Sequence, residues 1–119
     1  MSVGKKGEQI SERFLISRGF AIKNRNFITP FGEIDLIAKK KDCTVFFEVK
    51  TRIHEEYALP LDSITKKKQK NIIKNCAYYL QRFKLINTPC RIDAIGVTLN
   101  EKMELEILRH IKDAVKVRW

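Results

Sequence analysis

Two β-prone runs separated by a short polar break constrain the fold of this chain more than any other feature. The runs span residues 34–38 and 44–49 and are rich in β-branched and aromatic residues, whereas the break between them is charged. This pattern is typical of two antiparallel strands joined by a tight turn. With the turn centred on Lys41 and Asp42, Lys40 pairs with Cys43.

Counting along both arms from that turn places Asp35 directly opposite Glu48. Directly opposed residues share a face of the sheet, with Cβ atoms about 4.5–5.5 Å apart. Because side chains alternate along a strand, Lys50 joins the same face, opposite Glu33. The hairpin is therefore predicted to gather two carboxylates and an amine on one face.

Two carboxylates this close repel each other, and a partly buried face screens the repulsion poorly. Magnesium relieves such repulsion, since it binds oxygen ligands, commonly one or two carboxylates with waters and substrate phosphate. It also lowers the pKa of a bound water and so makes a nucleophile. Asp35, Glu48 and Lys50 are therefore candidates for a phosphodiester-cleaving site, with Mg²⁺ or Mn²⁺ as the expected cofactor. An ordinary salt bridge between Lys50 and either carboxylate is the alternative.

Length and composition favour one globular domain over residues 1–119, since 44% of the residues are hydrophobic. No stretch of about 20 apolar residues is present, and the N-terminus leads into no segment of signal-peptide type. We therefore expect a cytoplasmic protein without a membrane partner. The cysteines, Cys43, Cys76 and Cys90, are odd in number and widely spaced, which favours reduced, packed thiols.

The charge of the chain is unevenly distributed. The net charge is +10, and no Asp or Glu occurs from Ser63 to Ile92. A surface of one sign attracts a polyanion, so nucleic acid, and DNA in particular, is the expected partner. Anionic membranes and ribosomal RNA are alternatives, because they attract basic proteins for the same reason. The candidate nucleic-acid-binding residues are Lys66, Lys67, Lys68, Lys70, Lys74 and Arg52.

Apolar spacing predicts a first helix over residues 5–17, ending at Gly19. At about 100° per residue, Glu8 lies within about 20° of Leu15 around the axis, whereas Glu12 turns further toward solvent. Glu8 is thus better placed to reach inward. The alternative is that both are solvated carboxylates of the first turns.

A second helix is predicted from Thr65, as N-cap, to about Phe83. Lys68 extends its apolar stripe back by one turn. This lysine is therefore placed to meet a phosphate near the carboxylates, with extension into solvent as the equal alternative.

The remaining elements are expected to complete a mixed sheet. Strands are predicted at residues 20–24, 91–98 and 105–108, and loops at 26–32 and 54–61. Asp93 is either a further ligand or, as we expect, the partner of Arg91 or of a helix lysine in an ion pair. His54 is expected to be a solvent-exposed loop residue rather than a catalytic one.

Several motifs occur in an order that is informative as a set. They are Gly7-Glu8, Gly19-Phe20, Arg25-Asn26, GEIDLIA at 32–38, FFEVKTR at 46–52, Lys68-Gln69 and Arg91-Ile92-Asp93. In these motifs, over nearly its whole length, the chain resembles the YraN family of small bacterial proteins. The resemblance implies a restriction-endonuclease-like, PD-(D/E)XK fold of the α/β class, a central mixed sheet flanked by helices, similar to archaeal Holliday junction resolvases.

The same resemblance implies a four-residue site made of Glu8, Asp35, Glu48 and Lys50. Asp35 and Glu48 would be metal ligands with the Val49 carbonyl, Glu8 would hold a metal water or a second ion, and Lys50 would orient the nucleophile. The implied function is a metal-dependent nuclease that hydrolyses DNA phosphodiester bonds, including those of branched or recombination-intermediate DNA. The alternative is a weak or inactive nucleic-acid-binding module on a nuclease fold. A homodimer is left open, since resolvases of this fold act as dimers.

Overall fold

A single mixed sheet organises the molecule. The computed structural model describes residues 1–54 and 64–117. Its elements are α1 (Val3–Ser17), β1 (Ala21–Thr29), β2 (Gly32–Lys40), β3 (Cys43–Ile53), α2 (Lys66–Arg82), β4 (Cys90–Leu99) and β5 (Leu105–Val115). The sheet order is β1-β2-β3-β4-β5; only β3 and β4 are parallel neighbours. The predicted α/β architecture, a central mixed sheet flanked by helices, is confirmed.

Helix α1 ends in the left-handed turn that its sequence predicts. Gly19 has φ +91°. The N–H of Phe20 donates to the Leu15 carbonyl at 3.0 Å, and the N–H of Gly19 donates to the Ile16 carbonyl at 3.1 Å. This pair of bonds is the Schellman motif, which satisfies carbonyls that the helix leaves free. Leu15 and Phe20 both enter the core, so the turn also directs the chain into β1.

Helix α2 is the crossover that makes β3 and β4 parallel. Thr65 is its N-cap, as predicted, and its hydroxyl accepts from the Lys68 N–H at 3.2 Å. The helix packs on the sheet through Cys76, Tyr79 and Leu80. A parallel pair of strands needs a crossover of this kind, because a tight turn can join only antiparallel neighbours.

The two helices cover opposite faces, and each face has its own hydrophobic core. The α1 side contains Leu15, Phe20, Leu36, Ala38, Val45, Phe47, Ile95, Val97 and Leu99. The α2 side contains Ile34, Ile37, Phe46, Cys76, Tyr79, Leu80, Ile92 and Val115. Phe46 and Phe47, adjacent on β3, point into different cores, so β3 is a strand with two buried faces and holds the sheet between the helices.

Two strands are longer than their sequence pattern predicts. The expected loop at 26–32 is wrong: β1 continues to Thr29, and only Pro30 and Phe31 form the turn. Pro30 and Gly32 indicated a loop over this range, but residues 27–29 pair with β2, and Asn26 adopts φ +46° within the strand. Strand β5 likewise runs on to Val115, beyond the predicted end.

Other expectations concern the thiols, the second loop and membrane segments. Cys43, Cys76 and Cys90 form no disulfide; Cys76 is buried, and Cys43 and Cys90 are partly buried, as predicted. Most of the predicted 54–61 loop lies outside the described residues. In the described parts of the chain, no helix has the length and apolar character needed to cross a membrane.

Candidate active site

The sheet opens between β2 and β3, and the opening creates the candidate site. The β2–β3 ladder runs from Lys40–Cys43 to Leu36–Phe47 and includes no further pair. Beyond that point β2 pairs only with β1, as far as Gly32, while β3 pairs only with β4, as far as Ile53. The two strands therefore leave a gap in which side chains and backbone groups can meet a ligand.

Asp35 and Glu48 occupy the first positions beyond the last pair of the β2–β3 ladder. The predicted register is confirmed, since Lys40 pairs with Cys43. Instead of a further backbone pair, the Asp35 carboxylate accepts a hydrogen bond from the Val49 N–H, with Oδ2 2.8 Å from the nitrogen. This bond fixes the Asp35 side chain at the edge of the gap, next to Glu48.

The predicted pairing of Glu33 with Lys50 is wrong. Glu33 lies opposite Ile28 of β1, and Lys50 lies opposite Gly96 of β4. The count along the hairpin assumed that β2 and β3 stay paired to their ends, but the strands separate before these residues are reached. Separation leaves the site open rather than covered by an ion pair across the two strands.

Burial and nearby negative charge make both carboxylates weaker acids in the folded chain than in water. The pKa of Asp35 is raised from 3.8 to about 7, mainly by burial and then by the neighbouring Glu48, while the Val49 N–H opposes the rise. Burial also raises the pKa of Glu48, although Lys50 and Lys68 oppose this rise. A crowded pair of this kind is stabilised by added positive charge, from a proton or from a cation.

Helix α1 brings a third carboxylate to the gap. Gly7 is buried against β3, where a Cβ would lie 1.7 Å from the Thr51 hydroxyl oxygen, so only glycine permits this close approach. The next residue, Glu8, raises the pKa of both Asp35 and Glu48. The negative charge of Glu8, on α1, therefore acts on both carboxylates at the gap.

Glu12 is directed elsewhere, as its helical phase indicated. Its carboxylate is held by Arg25, whose Nε and Nη2 lie 2.5 and 2.7 Å from the two carboxylate oxygens. This pairing lowers the pKa of Glu12. The structure therefore brings Glu8 rather than Glu12 to the gap, while the catalytic role of Glu8 stays a prediction.

Asn26 is a residue of the site that the sequence analysis did not identify. Its amide nitrogen donates to Glu8 at 3.1 Å and to Glu33 at 2.9 Å, and its oxygen accepts from Lys5 at 2.9 Å. Asn26 thus connects α1 to β2 beside the gap. The signal was its place in the Arg25-Asn26 motif, but its predicted position in a loop concealed the contacts. Asparagine is also one of the residues that tolerate its positive φ.

The predicted basic residues lie on β3 and α2 and differ in their exposure. Lys50 is partly buried on β3, and Lys68 is exposed on the first turn of α2. Both lower the pKa of Glu48, so Lys68 combines the two predicted alternatives: it extends into solvent and still acts on the site. The remaining candidates are exposed along α2 and β3; they are Lys66, Lys67, Lys70, Lys74 and Arg52.

Asp93 belongs to a different, structural cluster. It is fully buried and accepts hydrogen bonds from Arg91 Nε at 3.0 and 3.1 Å and from the Asp113 N–H at 2.8 Å; His110 Nε2 lies 2.8 Å from its Oδ2. The expected ion pair with Arg91 is present. His54 is exposed, as expected, and pairs with Glu101 at 3.0 Å.

Comparison with known proteins identifies the family. A model described as "Uncharacterised protein family UPF0102" matches residues 7–97. The chain belongs to the UPF0102 family. This is the YraN group, so the family inferred from the sequence motifs is confirmed.

UPF0102 proteins of several bacteria match nearly the whole chain. A relative from Clostridium acetobutylicum is 38% identical over 114 residues, which cover 96% of this chain and 93% of the relative. One from Clostridioides difficile is 40% identical over 111 residues, covering 93% and 94% of the two chains. One from Desulfosudis oleivorans is 41% identical over 111 residues, covering 93% and 89%.

A solved structure shows a partial likeness. It is that of Pyrococcus furiosus SfsA in complex with Ca²⁺, with a TM-score of 0.42 and 16% sequence identity. The match covers 92% of this chain but 62% of SfsA, so this chain spans less than two thirds of that protein. The likeness is too weak to transfer a function, and the calcium ion is a property of SfsA.

The donor atoms at the gap suit a hard divalent cation. In the described ranges 1–54 and 64–117, no three His, Cys, Asp or Glu side chains are arranged to hold a metal ion. A magnesium site needs fewer protein ligands, since waters and substrate phosphate commonly complete its octahedral shell. Asp35 and Glu48 provide two adjacent carboxylates, and their raised pKa values indicate a deficit of positive charge that a cation would offset. The residues therefore fit a two-carboxylate site.

Proposed function

We propose that this UPF0102 chain is a Mg²⁺- or Mn²⁺-dependent endonuclease that hydrolyses DNA phosphodiester bonds at the gap between β2 and β3. One observation carries the proposal: Asp35 and Glu48 lie side by side at an open strand edge, with raised pKa values and with Lys50 and Lys68 beside them. A purely structural pair would be expected to carry its compensating charges within bonding distance, as Asp93 does.

In this function Asp35 and Glu48 would hold the cation, with the Val49 carbonyl as a further predicted ligand. A cation bound there would polarise the phosphate and lower the pKa of the attacking water. The Val49 N–H keeps the Asp35 carboxylate in one orientation through its 2.8 Å bond. Glu8, oriented by Asn26 at 3.1 Å, accepts a hydrogen bond from water on the α1 side of the gap.

The lysines act on the negative charge of the substrate. Lys50 sits next to Glu48 and is placed to offset charge that develops on the phosphoryl oxygens during attack. Lys68 binds an adjacent phosphate from the first turn of α2. The exposed lysines Lys66, Lys67, Lys70 and Lys74, together with Arg52, hold the polyanion, which makes binding strongly dependent on salt.

The decisive experiment is cleavage of labelled linear duplex, single-stranded and four-way-junction DNA with Mg²⁺, Mn²⁺ or EDTA. Asp35→Asn keeps the shape of the side chain but removes the charge, and we expect it to slow cleavage by at least about 100-fold, the loss typical of one catalytic electrostatic contact. Asp42→Asn is the matched control, because Asp42 is exposed at the turn of the same hairpin. Cleavage that persists in EDTA, or in Asp35→Asn, would contradict the proposal.

If no DNA is cut, calorimetric titration with Mn²⁺ separates the remaining possibilities. Heat of binding that Glu48→Gln abolishes would retain the metal site. Salt-dependent DNA binding without cleavage or metal binding would instead indicate a nucleic-acid-binding module on a nuclease fold. Sedimentation with and without junction DNA tests whether the chain acts as a homodimer.

A further inference from the structure

The tip of the β1–β2 hairpin, residues 28–31, presents apolar side chains to water next to the candidate site. Ile28 is 75% exposed and Phe31 is 47% exposed, whereas Thr29 between them is only 7% exposed. Pro30 and Phe31 form the two-residue turn. The exposed aromatic ring contributes little to either core, so its place at the surface calls for another role.

The hairpin tip is held rigidly against α2. The buried Thr29 hydroxyl donates to the Asn75 side-chain oxygen, and the Phe31 N–H donates to the same hydroxyl at 2.9 Å. Gly32, which follows, has φ +147°, and a Cβ there would lie 3.3 Å from the Asn75 amide nitrogen. A larger residue would disturb this contact, so the sequence of the turn is matched to its docking on α2. Phe31 therefore stands in one place, with little ordering needed on binding.

Positive charge lies beside the ring. Lys74 Nζ is 5.9 Å from the centroid of Phe31, on a helix whose surrounding sequence has no acidic residue from Ser63 to Ile92. Aromatic rings beside cations are the recurring elements of single-strand recognition, because a base stacks on the ring while its phosphate meets the cation. The bases of an uninterrupted duplex cannot stack in this way, since their faces already contact neighbouring bases.

The hairpin tip is also close to the proposed catalytic carboxylates. Phe31 precedes Asp35 by four residues, so the chain between them spans at most about 14 Å. Asn75, which anchors the tip, lines a groove together with Glu33 and Glu48. The distance of at most about 14 Å between Phe31 and Asp35 equals about four steps of 3.4 Å along DNA. One DNA strand can therefore span both residues.

We propose that the hairpin tip is a stacking platform for an unpaired base, with Phe31 contacting the base and Lys74 its phosphate. The inference rests on the proposed function and names its substrate class: nucleic acid with unpaired bases next to the cleaved strand, such as single strands, flaps or open junctions, in preference to continuous duplex. Ile28 and Pro30 extend the apolar surface beside the stacked base.

The test is equilibrium binding of fluorescent oligothymidylate and of a blunt duplex, both in EDTA so that cleavage does not contribute. Phe31→Ala and Phe31→Leu are expected to weaken oligothymidylate binding by roughly 5- to 100-fold, the range for loss of one stacked base, and to leave duplex binding within about twofold. Phe31→Tyr, which keeps a flat ring, is expected to bind like the wild type. Thermal melting of each variant checks that the fold is retained.

Phe83→Ala is the matched control. Phe83 is 45% exposed and also lies near a cation, with Arg82 Cζ 5.7 Å from its ring centroid. It lies about 14 Å from Lys74 along α2, however, outside the proposed platform, so its removal is expected to change oligothymidylate binding by less than about twofold.

Three outcomes of the DNA-binding assay would overturn the inference. They are unchanged oligothymidylate binding in Phe31→Ala, equal losses for single strand and duplex, and full affinity in Phe31→Leu, which would indicate simple apolar contact. A Phe31-dependent affinity for phosphatidylserine vesicles without one for oligothymidylate would overturn it in favour of a lipid surface. Binding is measured without metal, so the two proposals can fail separately. Oligothymidylate binding that depends on Phe31, with no cleavage, would contradict only the nuclease proposal. Cleavage together with oligothymidylate binding that does not depend on Phe31 would contradict only the stacking platform.

Discussion

Asp93 and Asp35 are aspartates of the same sheet, yet their surroundings give them opposite properties. Asp93 is fully buried and is bonded by Arg91, His110 and the Asp113 N–H. Burial alone would raise its pKa, but the bonds from His110 and Arg91 outweigh it and lower the pKa below 3.8. Asp35 is only partly buried, accepts a hydrogen bond from the Val49 N–H, and has a pKa raised to about 7.

The difference teaches how a structural carboxylate can be told from a functional one. A structural carboxylate is compensated within the fold, so its charge stabilises the chain at pH values above the ordinary 3.8 and stops doing so on acidification. The Asp35 carboxylate has too little positive charge around it, so its ionised form weakens the fold and favours binding of an external cation. An incomplete set of partners at an open strand edge is a signal of function that burial alone does not provide.

The largest expected effect is on stability, from removal of the Asp93 charge. Asp93→Asn leaves Arg91 and His110 without their carboxylate, and we expect the free energy of unfolding to fall by about 3–5 kcal/mol, as for other broken buried pairs. Urea denaturation followed by circular dichroism measures it. Asp42→Asn, at an exposed turn, should stay within about 0.5 kcal/mol. A loss below about 1 kcal/mol in Asp93→Asn would remove the distinction between the two aspartates.

The next effect is the pH dependence that Asp35 imposes. An unfolded aspartate loses its proton near pH 3.8, whereas folded Asp35 keeps it to about pH 7. Between these values the folded state binds more protons, so the free energy of unfolding falls as pH rises and the loss is complete above pH 7. We expect Asp35→Asn to abolish this loss and to be more stable than the wild type at pH 8, by up to about 4 kcal/mol.

Urea denaturation from pH 4 to pH 8 measures the effect, in EDTA so that no cation substitutes for the proton. Asp42→Asn should keep the slope of the wild type. Parallel pH profiles for the wild type and Asp35→Asn would show that Asp35 ionises normally in the fold.

The smallest expected effect is that of the exposed Lys68 side chain on the pKa of Glu48. Lys68 lowers the pKa of Glu48. Because Lys68 is exposed, its contribution is expected to resemble that of a weak surface ion pair, and Lys68→Gln should raise the Glu48 pKa slightly. Carbon NMR titration of the Glu48 carboxyl measures the change.

The contribution of Lys68 should vanish in about 1 M salt, where the Debye length is about 3 Å. Lys66→Gln, on the same helical turn, is the control and should have a smaller effect. A salt-independent change of the same size would mean that Lys68 is held in the site as firmly as Arg91 is held at Asp93.

Local rules explain most of what could be predicted. The register from Lys40–Cys43 follows from turn length and the alternation of strand side chains, and the caps at Gly19 and Thr65 follow from the preferences of single residues. The strand reaching Thr29 was missed because Pro30 and Gly32 indicated a loop that included residues 26–29. Residues 27–29 pair with β2, a partner that composition does not reveal.

By itself, the sequence determined the family, the α/β class, the hairpin register and the adjacency of Asp35 and Glu48, because each depends on contacts between residues near in the chain or on motifs that are read directly. Only the tertiary structure decided that β2 and β3 part after Leu36–Phe47, that Asn26 bridges Glu8 and Glu33, and that the hairpin tip docks on Asn75. These features depend on how two helices pack on opposite faces of one sheet, where the free energy of burial and the fit of distant side chains act together.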